Sequence, residues 1–334
     1  MSWGDLPESG MPARYARRAL LRAAVFDTRG HELWRYRPAT ASSVATGVLA
    51  EVREDAIALD SSRGTEFFAV SAETATWLGG RTTLSALRSG DPVVIGHRAL
   101  DPETPACRLA ERIWACAGRV TGTIVAADGH EFLVDAHRQE RQRVVIEPAS
   151  VRPIQVRFPR LAPGYLLDVI GTRHGDYLLA VAPATAQPPY RAGHSPRRPL
   201  VSGPVTMPVS GAAVWHEPDD ELPGLLGLGY PAIEPAAGPR PVGAEPDGGG
   251  TGCVRLPYLS LGSTVRIRNE CTGRAAVLPV TSDGAMARQF CDRCVECGTS
   301  PKGRVADLTM AAFVELGGNL EDGCFNATLT TVTG

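Results

Sequence analysis

The sequence predicts a mainly β protein: two tandem small β-barrels followed by a third β domain at the C-terminal end. Three observations carry this expectation. From about Ser42 to Ala184 the chain shows short apolar runs, alternation and frequent Gly or Asp turns, the pattern of short strands. The same stretch repeats itself with a period of 75 residues. The last eighty or so residues, from about Cys253 to Thr333, alternate again and hold six of the eight cysteines.

The repeat is read from matches that share one offset. Thr46-Gly47 matches Thr121-Gly122, Asp60 matches Asp135, and Val70 matches Val145. Val94-Ile95-Gly96 matches Val169-Ile170-Gly171, and Arg98 matches Arg173. Apolar character persists where identity does not, as in Leu49 with Ile124 and Leu59 with Val134. Each copy reads as about five short strands, which suggests an OB-like or SH3-like barrel. Such a pair can bind a polymer or be purely structural, and no aromatic platform is visible in it.

The expected organisation is therefore as follows. Residues 1–41 form a lead-in with a helix over Ala13 to Val25; 42–110 are the first barrel and 111–184 the second. A Pro-rich linker spans 185–205, and the last domain spans 206–334 with Val209 to His216 as its first strand. In that domain Ser263 to Asn269 alternates, Gly273 turns the chain, and Ala275 to Val280 returns. Arg304 to Leu308 is a short strand. Thr309 or Asp307 can cap a helix over Met310 to Leu316, closed by Gly317-Gly318. Phe325 to Val332 is the last strand.

Composition narrows function. The formal net charge of −2 gives no general pull toward nucleic acid, and none is expected as a partner. No run reaches the roughly 18 apolar residues of a membrane span. There is no Walker A loop, no Gly-x-Gly-x-x-Gly after a strand, no His-Glu-x-x-His and no Gly-x-Ser-x-Gly, so no cofactor is expected. The oligomeric state is not encoded in any pattern. Dense cysteines point to an oxidising, extracellular or wall-associated setting. The N-terminal apolar stretch, broken by Arg22, is a poor signal peptide, which keeps a cytoplasmic setting as the alternative.

The C-terminal motifs resemble a known family. Leu256-Pro257 followed by Leu261 to Asn269, the turn Thr272-Gly273-Arg274, and Val305-Ala306-Asp307-Leu308-Thr309 with Ala312-Phe313 and Leu316-Gly317 are similar to segments of RlpA-like domains. Asp292-Arg293-Cys294-Val295-Glu296-Cys297 resembles the Asp-Arg-Cys-x-x-Cys of expansin-like and barwin-like members. The resemblance implies a six-stranded double-psi β-barrel that holds polysaccharide. Implied activities are expansin-like binding or loosening of a cell-wall glycan, or RlpA-like lytic transglycosylation of peptidoglycan. Barwin-like cysteine-protease inhibition, or an intracellular enzyme built on the barrel, are further alternatives.

The resemblance also marks site residues. Asp307 matches the signature Asp and could act as a general acid where a hydrophobic wall raises its pKa; it could equally cap the next helix. Asp283 or Asp292 would supply a second carboxylate. The expected His before the Leu-Pro is replaced by Cys253. Trp215 is either a platform for a sugar ring or a core residue, with Tyr258 a weaker candidate for the platform. His216, beside Glu217 and Asp219-Asp220, reads as a metal site or a solvated acidic turn. Cys253, Cys271, Cys291, Cys294, Cys297 and Cys324 are disulfide candidates, the even count favouring three bridges. The tight spacing of Cys291, Cys294 and Cys297 leaves a zinc knuckle as the alternative.

Overall fold

The structure, a computed structural model, describes residues 43–100, 108–136, 141–186, 191–192, 205–217, 226–233, 249–250, 254–284, 287, 290–291, 294 and 303–332. The helix expected over Ala13 to Val25 lies outside the described residues. Three barrels follow one another along residues 43–332.

The first barrel comprises β1 (Val44–Val52), β2 (Ala56–Ser61), β3 (Gly64–Ala69), β4 (Ala75–Trp77), β5 (Arg81–Thr82), β6 (Pro92–Ala99) and β7 (Arg108–Ala115). β1 pairs with both β2 and β6, β2 with β3, and β6 with β7. A parallel contact, Ala69 with Leu109, joins β3 to β7 and closes the ring. The small hairpin β4–β5 hangs on the edge of β7.

The second barrel repeats this wiring with β8 (Ala117–Asp128), β9 (Glu131–Asp135), β10 (Gln142–Ile146), β11 (Leu166–His174) and β12 (Tyr177–Pro183). β8 pairs with β9 and β11, β9 with β10, and β11 with β12; β10 and β12 close the ring in parallel. Helix α1 (Pro148–Arg157) sits between its third and fourth strands. Both rings have the strand order 1-2-3-5-4, the OB-type choice between the two barrels the sequence left open.

The duplication is visible in atomic detail, with one correction to its period. Val48 pairs with Asp60 and Thr123 with Asp135; the bulge at Leu49/Glu51 recurs at Ile124/Ala126. These are offsets of 75. In the fourth strand, however, Thr46 faces Val94 while Thr121 faces Asp168, an offset of 74. Gly90 N–H donates to Leu49 O and Gly164 N–H to Ile124 O, again 74 apart. The boundary also moves: Arg108–Ala115 completes the first barrel, so that barrel runs past residue 110.

The repeated glycine has a geometric cause. One half of β1 pairs with β6 and the other half with β2; β8 divides likewise between β11 and β9. The strand must bend where it changes partners. A Cβ on Gly47 would lie 2.2 Å from Asp60 O, and one on Gly122 2.2 Å from Asp135 O. Gly122→Ala should therefore cost about 1–3 kcal/mol through backbone displacement. Gly80→Ala, which meets nothing within 4 Å, should stay within about 0.5 kcal/mol. Urea unfolding of the two variants checks both expectations.

The third barrel comprises β13 (Val209–His216), β14 (Leu228–Gly229), β17 (Thr264–Asn269), β18 (Ala275–Ser282), β19 (Arg304–Thr309) and β20 (Cys324–Thr331), closed in the order β13-β19-β14-β18-β17-β20. Between them β15 (Gly249–Gly250) and β16 (Arg255–Leu256) form a short ribbon. Exchanging the first three barrel strands with the last three maps this order onto itself. The two parallel contacts, β13 with β19 and β14 with β18, exchange as well. That twofold wiring is the six-stranded double-psi arrangement expected from the sequence. Helix α2 (Met310–Glu315) follows β19.

The barrels share a core. Val44, Trp77, Val94 and Trp114 of the first, Ile170 of the second, and Trp215, Tyr230, Leu308 and Phe313 of the third belong to one buried cluster. Phe290, from the cysteine-rich stretch, enters the core of the second barrel. The expected linker is mostly outside the described residues; Arg191 and Ala192 are bonded to the second barrel at Tyr165 and Gly164. Among the described residues no helix is long and apolar enough to cross a membrane.

Candidate functional site

The site begins with β13 and β19. They run parallel, with Val214 opposite Asp307 and His216 opposite Thr309. Ala213 and Trp215 point into the shared core, so Val214 and His216 face the other way. Asp307 occupies that same outer row. His216 Nδ1 and Asp307 Oδ1 lie 3.1 Å apart. Their side chains keep 21% and 10% of their surface exposed, so the pair is partly open to solvent.

The helix-cap alternative for Asp307 is resolved in favour of Thr309. The Thr309 hydroxyl accepts the Ala312 N–H at 3.3 Å and starts α2. The Asp307 carboxylate is left to face His216.

The seam with the second barrel lies beside this pair. Glu217, the next residue after His216, accepts Arg173 Nε at 2.9 Å on each oxygen and Arg173 Nη2 at 2.6 Å. It also accepts the backbone N–H of Arg119 at 2.7 Å. Three residues before Asp307, the Arg304 guanidinium reaches Asp168 and lies 3.9 Å from the centre of the Phe290 ring. Asp168 also takes Arg119 Nε at 2.8 Å, Arg119 Nη2 at 2.7 Å and the Thr121 hydroxyl at 2.8 Å. Burial alone would raise the Asp168 pKa. Attraction from Arg119 and Arg304, with the hydrogen bonds of Arg119 and Thr121, more than offsets this and holds it at about 2.

Of the other expected site residues, Asp283 directly follows β18. Ser282 pairs with Gly229, and Gly229 pairs with Asp307, so β14 intervenes. Two ladder spacings, roughly 10 Å, separate the strands of the two carboxylates. The partner brought to Asp307 is thus an imidazole where a second carboxylate was expected. Asp292 lies outside the described residues.

The aromatic platform is corrected. Trp215 is 1% exposed, and its Nε1–H donates to Leu320 O at 3.0 Å. It is a core residue. Tyr258 is half-buried and packs against the same core.

The three-bridge disulfide framework is corrected too. Cys294 and Cys324 keep their thiols and pack with Val214 in a buried cluster on the outer row. Cys271 and Cys291 are bonded as disulfide sulfurs. Cys253 and Cys297 lie outside the described residues.

No family model and no curated protein matches this chain. Among solved structures, the chain is similar in part to a multidomain protein with nucleic acid binding domains from Streptococcus pneumoniae TIGR4. It is 18% identical over 46% of this chain and 56% of that one, with a TM-score of 0.17. A likeness of that size carries no argument about what this chain does.

Proposed function

We propose that the third barrel binds and acts on a cell-wall glycan, with Asp307 and His216 as its proton-handling pair. The observation that carries this reading is the 3.1 Å contact between them at an accessible strand end. A carboxyl and an imidazole in hydrogen-bond contact share one proton and can pass it to a third group. That is what cleaving a glycosidic bond requires at the leaving oxygen. The imidazole would orient the carboxyl while it donates, then help return the proton from the attacking hydroxyl. The motif resemblance around Asp307 supplies the substrate class.

Binding and loosening of the glycan without cleavage is the companion reading, and one experiment separates the two. Full-length protein is incubated with purified sacculi, and soluble glycan is followed by mass spectrometry. Release that falls at least a hundredfold in Asp307→Asn, with pelleting on sacculi retained, supports proton transfer by the pair. Pelleting without release, unchanged by Asp307→Asn, supports binding alone. Neither release nor pelleting overturns the glycan reading.

A further inference from the structure

We propose that the second barrel is the positioning scaffold for the His216–Asp307 pair, acting through Glu217 on one strand and Arg304 on the other. This rests on the reading of His216 and Asp307 as the reactive pair.

Each reactive residue sits on a strand that is fixed to the second barrel by an ion pair a few residues away. Glu217 adjoins His216 and is gripped by Arg173 of β11. Arg304 precedes Asp307 by three residues and is held by Asp168 of β11. Arg119 of β8 serves both: its backbone N–H bonds Glu217, while its guanidinium forks onto Asp168. One residue of the second barrel therefore references both strands of the pair.

The chemistry of these contacts suits register more than adhesion. Apolar packing already joins the barrels through their common core, and apolar surfaces tolerate sliding. A two-pronged Arg–carboxylate contact fixes distance and angle together. The Glu217–Arg173 pair is only about a fifth exposed, so water screens it less than a surface pair. The seam is also shaped for it. A Cβ on Gly118 would lie 3.1 Å from Glu217 Oε1 and 2.6 Å from Leu178 Cδ1, so glycine is what lets Glu217 approach β8. Reactive groups need placement within about half an ångström, and a shift of β13 against β19 by that much would lengthen the 3.1 Å contact.

The test uses the full chain and two variants, Arg173→Gln and Glu217→Gln, with Arg173→Lys as the conservative change. The readout is the ring-nitrogen spectrum of His216, assigned by its loss in His216→Gln and referenced to Asp307→Asn. The expected result is a folded protein whose His216 nitrogen signals move toward those of Asp307→Asn, with Arg173→Lys in between. Should Arg173→Gln not fold, Glu217→Gln carries the same readout. Glycan release should fall at least tenfold in the Gln variants while pelleting on sacculi is kept. Folded variants with unmoved His216 signals overturn the proposal. Moved signals in a protein whose wild type neither releases glycan nor pellets on sacculi uphold the scaffold and overturn the glycan reading instead.

Discussion

Replacing Asp168 by Asn should lower the unfolding free energy by about 3–5 kcal/mol, since it leaves two guanidinium groups buried beside a neutral amide. Asp168 is fully buried, and the side chains of Arg119 and Arg304 are 1% and 2% exposed. A domain commonly has only about 5–15 kcal/mol to lose, so one such change removes a large share. Replacing all three residues by Leu and Met of similar volume should recover most of the loss, because the desolvation cost leaves with the charges. Urea unfolding of the single and triple variants measures both; a single-variant loss under about 1 kcal/mol would contradict a buried triad. The same carboxylate sets an acid limit. Its folded pKa of about 2 lies below the ordinary 3.8, so its contribution is complete above about pH 3.8 and is lost as pH falls through about 2. That contribution is about 2 kcal/mol. In the triple variant this part of the acid transition should disappear.

How much of this could be read from the chain alone follows from how local each signal is. Strand alternation and turn glycines are local, and Val209–His216, Thr264–Asn269 and Cys324–Thr331 lie close to where the pattern puts them. The Thr46-Gly47 and Thr121-Gly122 match is also local, and the bend at each glycine explains why it recurs. The fourth strand misled because Val94-Ile95-Gly96 and Val169-Ile170-Gly171 align without a gap, whereas barrel closure pairs these strands one residue apart. Pairing register is a long-range property that identity at one offset does not encode. Helix α1 was invisible for another reason. It carries Pro153 inside its length, a residue that usually ends a helix, and only Pro148 at its start is a favourable sign.

The site was half legible. Asp307 stands out by motif, but its partner lies 91 residues earlier and meets it only through a parallel strand pairing. His216 and Glu217 beside Asp219-Asp220 read as a solvated acidic turn, since nothing in sequence shows Arg173 and Arg119 arriving from another barrel. The signal that existed was positional. His216 ends the first strand, and β19 carries Asp307; placing the two in parallel register would have brought them together. The same reasoning separates Asp283 from Asp307, because the short β14 must enter between their strands.

Trp215→Ala should cost about 3–5 kcal/mol, the loss expected when a large buried aromatic is deleted from a packed core. Trp215→Phe keeps most of the volume but removes the indole donor to Leu320 O, which still accepts the Gly323 N–H at 3.3 Å, and should cost about 0.5–1.5 kcal/mol for the one lost hydrogen bond. The Arg119 guanidinium, 5.5 Å from the indole centre, would also lose part of its packing. A sugar platform would behave in the opposite way: both variants would keep the urea midpoint of the wild type and lose pelleting on sacculi. Measuring midpoint and pelleting together decides between them. On the proposed reading of the His216–Asp307 pair, alternation also ties Trp215 to the site. Trp215 and His216 are consecutive on β13, so burying one aims the other at Asp307. Glycan release in Trp215→Phe should therefore fall only as far as β13 loosens, and Trp215→Ala should lose release together with fold. Release lost in Trp215→Phe at full stability would mean that the indole itself touches the glycan, and would move Trp215 out of the core.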